Sequence, residues 1–197
     1  VRYGLPAHPR VLFVGRLAKD KEIDVLIRGM PRLWKSSNAH LLIVGRGEER
    51  EELGELAAEL GVDHCVHFMG YVAEEDLPAL YRASDLFSIV STTEVQSLPT
   101  LQAAATGIPI VAAGAMALPE LVHDGINGYL VPPEAPDAFA EAAAAILDNP
   151  ELAARMGRES LQIAAPHAEE YTFDAYEDLY LRTVEAYETE RALEVTG

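Results

Sequence analysis

Two cations and one carboxylate stand out because each sits where a helix is about to begin. In "VGRLAKDKEIDVLIRGM", Arg16 and Lys21 follow an apolar run that ends at Gly15. The helical spacing beyond them predicts Asp20 as the cap and Lys21 in the first turn. A lysine there opposes the helix dipole at a cost of about 0.3–1 kcal/mol, part of which Glu22 offsets. An anion held between Arg16, Lys21 and the helix end would reverse that sign, because a guanidinium grips phosphate oxygens as a fork and an ammonium adds a point charge. The alternative is a solvated surface pair.

The carboxylate is Glu94, in "STTEVQSLPTLQAAATG", residues 91–107. Leu98, Leu101 and Ala105 recur at helical spacing behind a capping Ser97, Pro99 is tolerated in the first turn, and Gly107 closes the segment. Free amides at such a start attract an anion, and Glu94 would compete with it. An amphoteric ligand removes the conflict: phosphate for the amides, hydroxyl groups for the carboxylate. A sugar nucleotide is such a ligand, with Gln102 one turn further on placed to reach a ribose.

Two further loops carry weaker signals. "VGRGEER" is half of a dinucleotide fingerprint, with Gly45 and Gly47 after a strand and Asp63 near the spacing of a ribose-binding acid, but Arg50 occupies the third glycine position. "MGYVAEEDL" follows a strand with Gly70, so its backbone could line a flat base with Tyr71 or Val72 against the ring, or could be a plain strand-to-helix turn.

Other chemistries fail on inventory. The six histidines are scattered without metal-ligand spacing, and the sequence holds no G-x-S-x-G elbow, no Walker loop and no D-x-D pair. The formal net charge is −17, from 15 basic and 32 acidic residues, which makes nucleic acid and anionic lipid poor partners. Most acids lie in helical stretches such as "GEEREELGELAAEL" and read as solvated faces. The single cysteine, Cys65, lies in an apolar run and reads as a buried, inert thiol. No apolar run is long enough to span a bilayer and no leader opens the sequence, so the expected compartment is the cytoplasm.

The elements that must position these residues alternate. Short apolar runs near 11–15, 40–45, 65–69, 85–90, 109–113 and 128–131 predict strands. Amphipathic stretches near 21–35, 48–60, 75–82, 98–106, 135–148 and 151–164 predict helices. That alternation implies an α/β chain with a parallel sheet between helices, whose ligands lie beyond the carboxyl ends of the strands. The candidate motifs sit at such loops, at 15–20, 45–48, 70–74 and 91–98. After Ala165 the pattern changes to a final helix with Phe173, Tyr176, Tyr180, Val184 and Tyr187 on one stripe. The expected division is residues 1–166 for the ligand-binding domain and 167–197 for this helix.

"GRLAKDK", "TEVQSLPTLQAAATGIPIVAA", "LPELVHDGINGYLVPP" and "YTFDAYEDLY", in this order from about Val11 to Ala186, resemble the donor-binding, C-terminal domain of retaining GT-B glycosyltransferases of family 4, the glycosyl transferases group 1. The resemblance implies a Rossmann-like three-layer α/β/α parallel sheet, one half of a GT-B fold, with a C-terminal helix that packs toward an N-terminal acceptor domain. It implies metal-independent transfer of a hexosyl group from an NDP-sugar, UDP- or GDP-linked, to a glycolipid or glycan. No cofactor is implied beyond that substrate. Arg16 and Lys21, beside Gly15, would neutralise the donor diphosphate. Glu94 would meet sugar hydroxyls, Ser97 and Leu98 would offer amides to phosphate and sugar, and position 102 would meet the ribose. The base would lie on backbone from Gly70 to Val72. Arg16, Lys21 and Glu94 are thereby the expected catalytic residues.

The chain departs from the family pattern where Gln102 stands for the second glutamate of an E-x7-E motif, removing a charged acceptor from the ribose contact. Ser97 replaces a usual glycine. The acceptor domain is expected to be absent from this chain, leaving a donor-binding part inactive alone. Competing readings are an epimerase-like GT-B domain and a non-catalytic Rossmann-like nucleotide-binding module.

Overall fold

The structure is a computed structural model that describes residues 3–195, with side chains for 3–168, 171–185 and 187. It divides after Ile163 into two compact units. In the first, six strands form one parallel sheet: β1 (Arg10–Val14), β2 (His40–Val44), β3 (Val66–Gly70), β4 (Leu86–Ile89), β5 (Ile110–Ala113) and β6 (Gly128–Val131). Their spatial order is β3-β2-β1-β4-β5-β6. Helices α1 (Ile23–Ser37), α2 (Arg50–Glu59), α3 (Leu77–Arg82), α4 (Leu98–Ala105), α5 (Leu118–Leu121) and α6 (Pro136–Leu147) connect or follow the strands. Helix α7 (Pro150–Ala164) follows α6. This is the expected Rossmann-like α/β fold.

The sheet forms because its strands are apolar on both faces. Val11, Leu12 and Phe13 of β1 and Leu41, Leu42 and Ile43 of β2 are fully buried, as a parallel sheet sandwiched by helices requires. Helix α1 packs Leu26, Ile27, Met30 and Leu33 inward, and Phe139 of α6 is fully buried as well. Burying each such side chain stabilises the fold by about 1.5–3 kcal/mol before conformational entropy is subtracted.

Chain order reverses across the sheet between β1 and β4: β2 and β3 lie to one side, β5 and β6 to the other. Connections leaving β1 and β4 at their carboxyl ends therefore diverge and open a crevice, the usual ligand position in such sheets. The second unit carries α8 (Glu169–Val195). Phe173, Tyr176, Tyr180, Val184 and Tyr187 are all exposed along it.

Three local expectations are corrected. Residues Lys19–Lys21 form a separate 3-10 turn, and α1 starts only at Ile23, so Asp20 is not its cap and Lys21 is not in its first turn. Glu22, in left-handed conformation at φ 49°, joins the two and holds the cap position without a side-chain cap bond. In α4 the buried residues are Thr100, Ala103 and Ala104, while Leu98 and Ala105 face outward. The stripe read from Leu98, Leu101 and Ala105 was the wrong face, because small residues let this helix lie close to the sheet. The short α5 had no period to detect at four residues.

Candidate functional site

The crevice between β1 and β4 is built from the turn at residues 15–22 and the loop at residues 90–97. Hydroxyl groups stitch the two together. Ser91 Oγ donates to the Asp20 carbonyl at 2.8 Å, Thr93 Oγ1 reaches the same oxygen at 3.2 Å, and Thr92 donates to Glu22 Oε1. The loop is tied on its other side by Ala117 N, which donates to the Glu94 carbonyl at 3.0 Å. These links make the "STT" run structural.

They bring Lys21 and Glu94 into direct contact. Lys21 Nζ donates to Glu94 Oε1 at 2.6 Å and lies 3.4 Å from Asp20 Oδ2. The side chains are 20% and 8% exposed, so the pair is largely shielded from water. Arg16 is on the same turn, its guanidinium 3.1 Å from Asp20 Oδ1 and mostly exposed. Each cation is thus paired with a carboxylate, Lys21 largely shielded from water and Arg16 exposed to it.

Helix α4 presents its N-terminus to this crevice. Ser97 occupies the cap position but makes no side-chain cap bond; its hydroxyl shares a 2.7 Å hydrogen bond with the Thr100 hydroxyl. Pro99 has no amide to satisfy. A helix start without a side-chain cap can offer its amides to an anion. Gln102, expected at a ribose, is exposed on α4, and Oε1 lies 3.2 Å from the Tyr81 hydroxyl. That hydroxyl is also 3.2 Å from the Pro99 carbonyl. Tyr81 itself is buried, and burial pushes its phenol well above the ordinary value. Between α3 and α4 lies a hollow of about 420 Å³ with Tyr81 and Gln102 in its lining.

On the other side of β1 the glycines of "VGRG" have a packing role. Gly45 N donates to Gly70 O at 2.8 Å, and Gly15 N to Val44 O at 3.0 Å. A Cβ at Gly45 would come 1.8 Å from Gly15 O, and one at Gly47 2.1 Å from Leu17 O. The 45–47 turn therefore presses directly on the 15–17 turn. Asp63 precedes β3, at the opposite end of the sheet from these glycines, so it does not complete a dinucleotide fingerprint. After Gly70, Val72 is buried and Tyr71 is exposed, with the Arg46 guanidinium 5.6 Å from its ring centre.

Sequence reasoning missed Thr92, Tyr81 and Arg46, and gave Glu22 only a part in offsetting the helix dipole beside Lys21. The threonine pair beside Glu94 was the one available signal; the other contacts join residues far apart in the chain. Among the described residues no cluster of three or more His, Cys, Asp or Glu side chains could hold a metal ion. No described helix is long and apolar enough to cross a membrane.

Comparison with known proteins agrees with this architecture. Residues 5–162 match the family described as glycosyl transferases group 1. The D-inositol 3-phosphate glycosyltransferase of Corynebacterium efficiens is 36% identical over 180 residues, spanning 87% of this chain and 42% of that protein. The sucrose-phosphate synthase of Thermosynechococcus elongatus superposes with a TM-score of 0.85 at 28% identity, covering 94% of this chain and 48% of that one. Anabaena HepE, solved in complex with UDP and glucose, superposes at 0.80 with 26% identity, covering 88% and 48%. The chain spans under half the length of these proteins. With its GT-B-like Rossmann sheet and this match over most of its length, the chain belongs to the glycosyl transferases group 1 family.

Proposed function

We propose that this chain is the donor-binding half of a retaining, metal-independent glycosyltransferase that moves a hexosyl group from an NDP-sugar to a glycolipid or glycan acceptor. The observation that carries the reading is the meeting of Lys21 and Glu94 at the crevice where chain order reverses. A cation for diphosphate and a carboxylate for sugar hydroxyls are the two groups an NDP-sugar needs side by side. On donor entry Lys21 turns from Glu94 to phosphate, Arg16 leaves Asp20 for the same group, and Glu94 is freed to accept from the sugar.

As the glycosidic bond breaks, negative charge grows on the leaving diphosphate. Lys21, Arg16 and the amides around Ser97 and Leu98 stabilise that charge, and the acceptor hydroxyl attacks from the face of departure, passing its proton to the leaving diphosphate oxygen. Gly15 lets the diphosphate approach, Gln102 contacts the ribose, and the base lies over the backbone from Gly70 to Val72 beside Tyr71. The UDP-bound HepE neighbour supports a uridine donor as the first to test. The acceptor is held mainly by a companion N-terminal domain, which also covers the tyrosine stripe of α8. The donor half alone binds donor without transferring sugar, acts in the cytoplasm, and makes no strong membrane contact.

Calorimetric titration with UDP, GDP, ADP and NAD in the presence of a chelator tests this. One nucleoside diphosphate binds, and Arg16→Ala and Lys21→Ala each weaken it. Preference for NAD, or affinity indifferent to both substitutions, would overturn the reading.

A further inference from the structure

Glu22 carries features that the donor chemistry does not use. Its backbone is left-handed at φ 49°, a region that favours glycine over any residue with a side chain. Its carboxylate Oε1 accepts from Thr92, while Oε2 is buried with no hydrogen-bond partner among the described residues. Unpaired buried acceptors are destabilising. The side chain makes no cap bond to α1, so helix capping does not explain it. Local strain of this kind persists where surrounding contacts impose it, and it concentrates at functional sites.

What the carboxylate holds is a relationship between two loops. Lys21 precedes Glu22, and Glu94 stands two residues beyond Thr92. Ser91 and Thr93 tie the middle of the turn through the Asp20 carbonyl. Glu22 and Thr92 tie its far end, immediately after Lys21. We infer that Glu22 is a positioning residue: through Thr92 it locks the turn bearing Lys21 against the loop bearing Glu94, and so aims the Lys21 ammonium. The inference rests on the proposed donor site only for what that ammonium goes on to meet.

The chain has three lysines, Lys19, Lys21 and Lys35, so nitrogen-labelled ammonium signals can be followed by NMR without any ligand, Lys21 being assigned with Lys21→Arg. In the unsubstituted chain Lys21 gives a slowly exchanging signal. Glu22→Gln, which keeps an acceptor for Thr92, retains it. Glu22→Gly and Thr92→Val lose it to exchange with water. Glu22→Gly melts no lower than the parent, since glycine suits the backbone there, which separates aiming from general support of the fold. Nucleoside diphosphate affinity falls about tenfold in Glu22→Gly and Thr92→Val, the worth of one charge-assisted hydrogen bond, and Glu22→Gln restores it. An unchanged Lys21 signal in Glu22→Gly, or Glu22→Gln behaving like Glu22→Gly, overturns the inference. If the Lys21 signal responds as stated while the parent chain binds no nucleoside diphosphate, the positioning role stands and the donor reading fails.

Discussion

Lys21 Nζ lies 2.6 Å from Glu94 Oε1, joining residues 73 positions apart in the chain. The contact spans the crevice between the connections that leave β1 and β4, and it satisfies two opposite charges that water reaches poorly. Each charge is thereby kept in place by the other.

Breaking this pair from one side leaves the remaining charge shielded and unmatched. Lys21→Met and Glu94→Gln should each cost about 1–3 kcal/mol in urea denaturation, and the double variant should cost less than the sum of the two. Additive losses would mean that the two groups do not interact in solution.

Gly45→Ala should be among the most damaging small substitutions in the chain. Its Cβ would fall 1.8 Å from Gly15 O at a backbone φ of 141°, so the two strand-end turns must separate. The expected loss is roughly 3–5 kcal/mol, against about 1 kcal/mol for Gly61→Ala, whose φ is also positive but whose Cβ would meet nothing within 4 Å. Chemical denaturation of both variants makes the comparison.

The Tyr81 hydroxyl has one proton and two acceptors at 3.2 Å, Pro99 O and Gln102 Oε1. Tyr81→Phe should cost about 1 kcal/mol of stability and release the Gln102 amide. For the ribose contact proposed for Gln102, the preference for UDP over 2′-deoxy-UDP should shrink in parallel, as competition titration would show.

Acid should weaken the fold through a histidine cluster at the amino end of the sheet. His40 Nδ1 and His67 Nε2 are 3.0 Å apart, and Trp34 packs edge-on against His40 and His64. Burial lowers both pKa values below the ordinary 6.5, with His64 and Arg10 adding to the effect on His40, and His40 and His64 adding to that on His67. Well above pH 6.5 both states hold these rings neutral and they contribute no pH dependence. As pH falls through that value the unfolded chain binds protons first, so stability declines until the folded pKa values are reached. His67→Gln should flatten this decline in urea melts taken from about pH 7 to pH 5.

Cys65 should be silent toward thiol reagents while the chain is folded. Burial, with a contribution from Asp63, pushes its thiol up to about 11, and its Sγ donates to Val62 O at 3.3 Å. Ellman's reagent at about pH 8 should react fully only in denaturant. Rapid reaction without denaturant would place the thiol at the surface.

The class of fold is legible in the residues alone, because strands such as "VLFV" and "HLLIV" are apolar on both faces and can be satisfied only inside a helix-covered parallel sheet. The same reading put Arg16, Lys21 and Glu94 in or beside strand-end loops and Gln102 on the helix after one of them, since turn and helix signals are local. Which of these residues touch depends on how the strands are ordered in space. Strand order brings β1 and β4 together across 71 intervening residues, and that adjacency creates the Lys21–Glu94 contact and the Ser91, Thr92 and Thr93 stitches, while the pairing of β1 with β2 presses Gly45 on Gly15. The same distinction explains the misplaced start of α1: a cap signal at Asp20 is local, whereas the turn that overrides it is held from Ser91 and Thr92 on another strand's loop. Residue spacing encodes periodicity, and periodicity carries no information about which distant loop will supply a hydrogen bond.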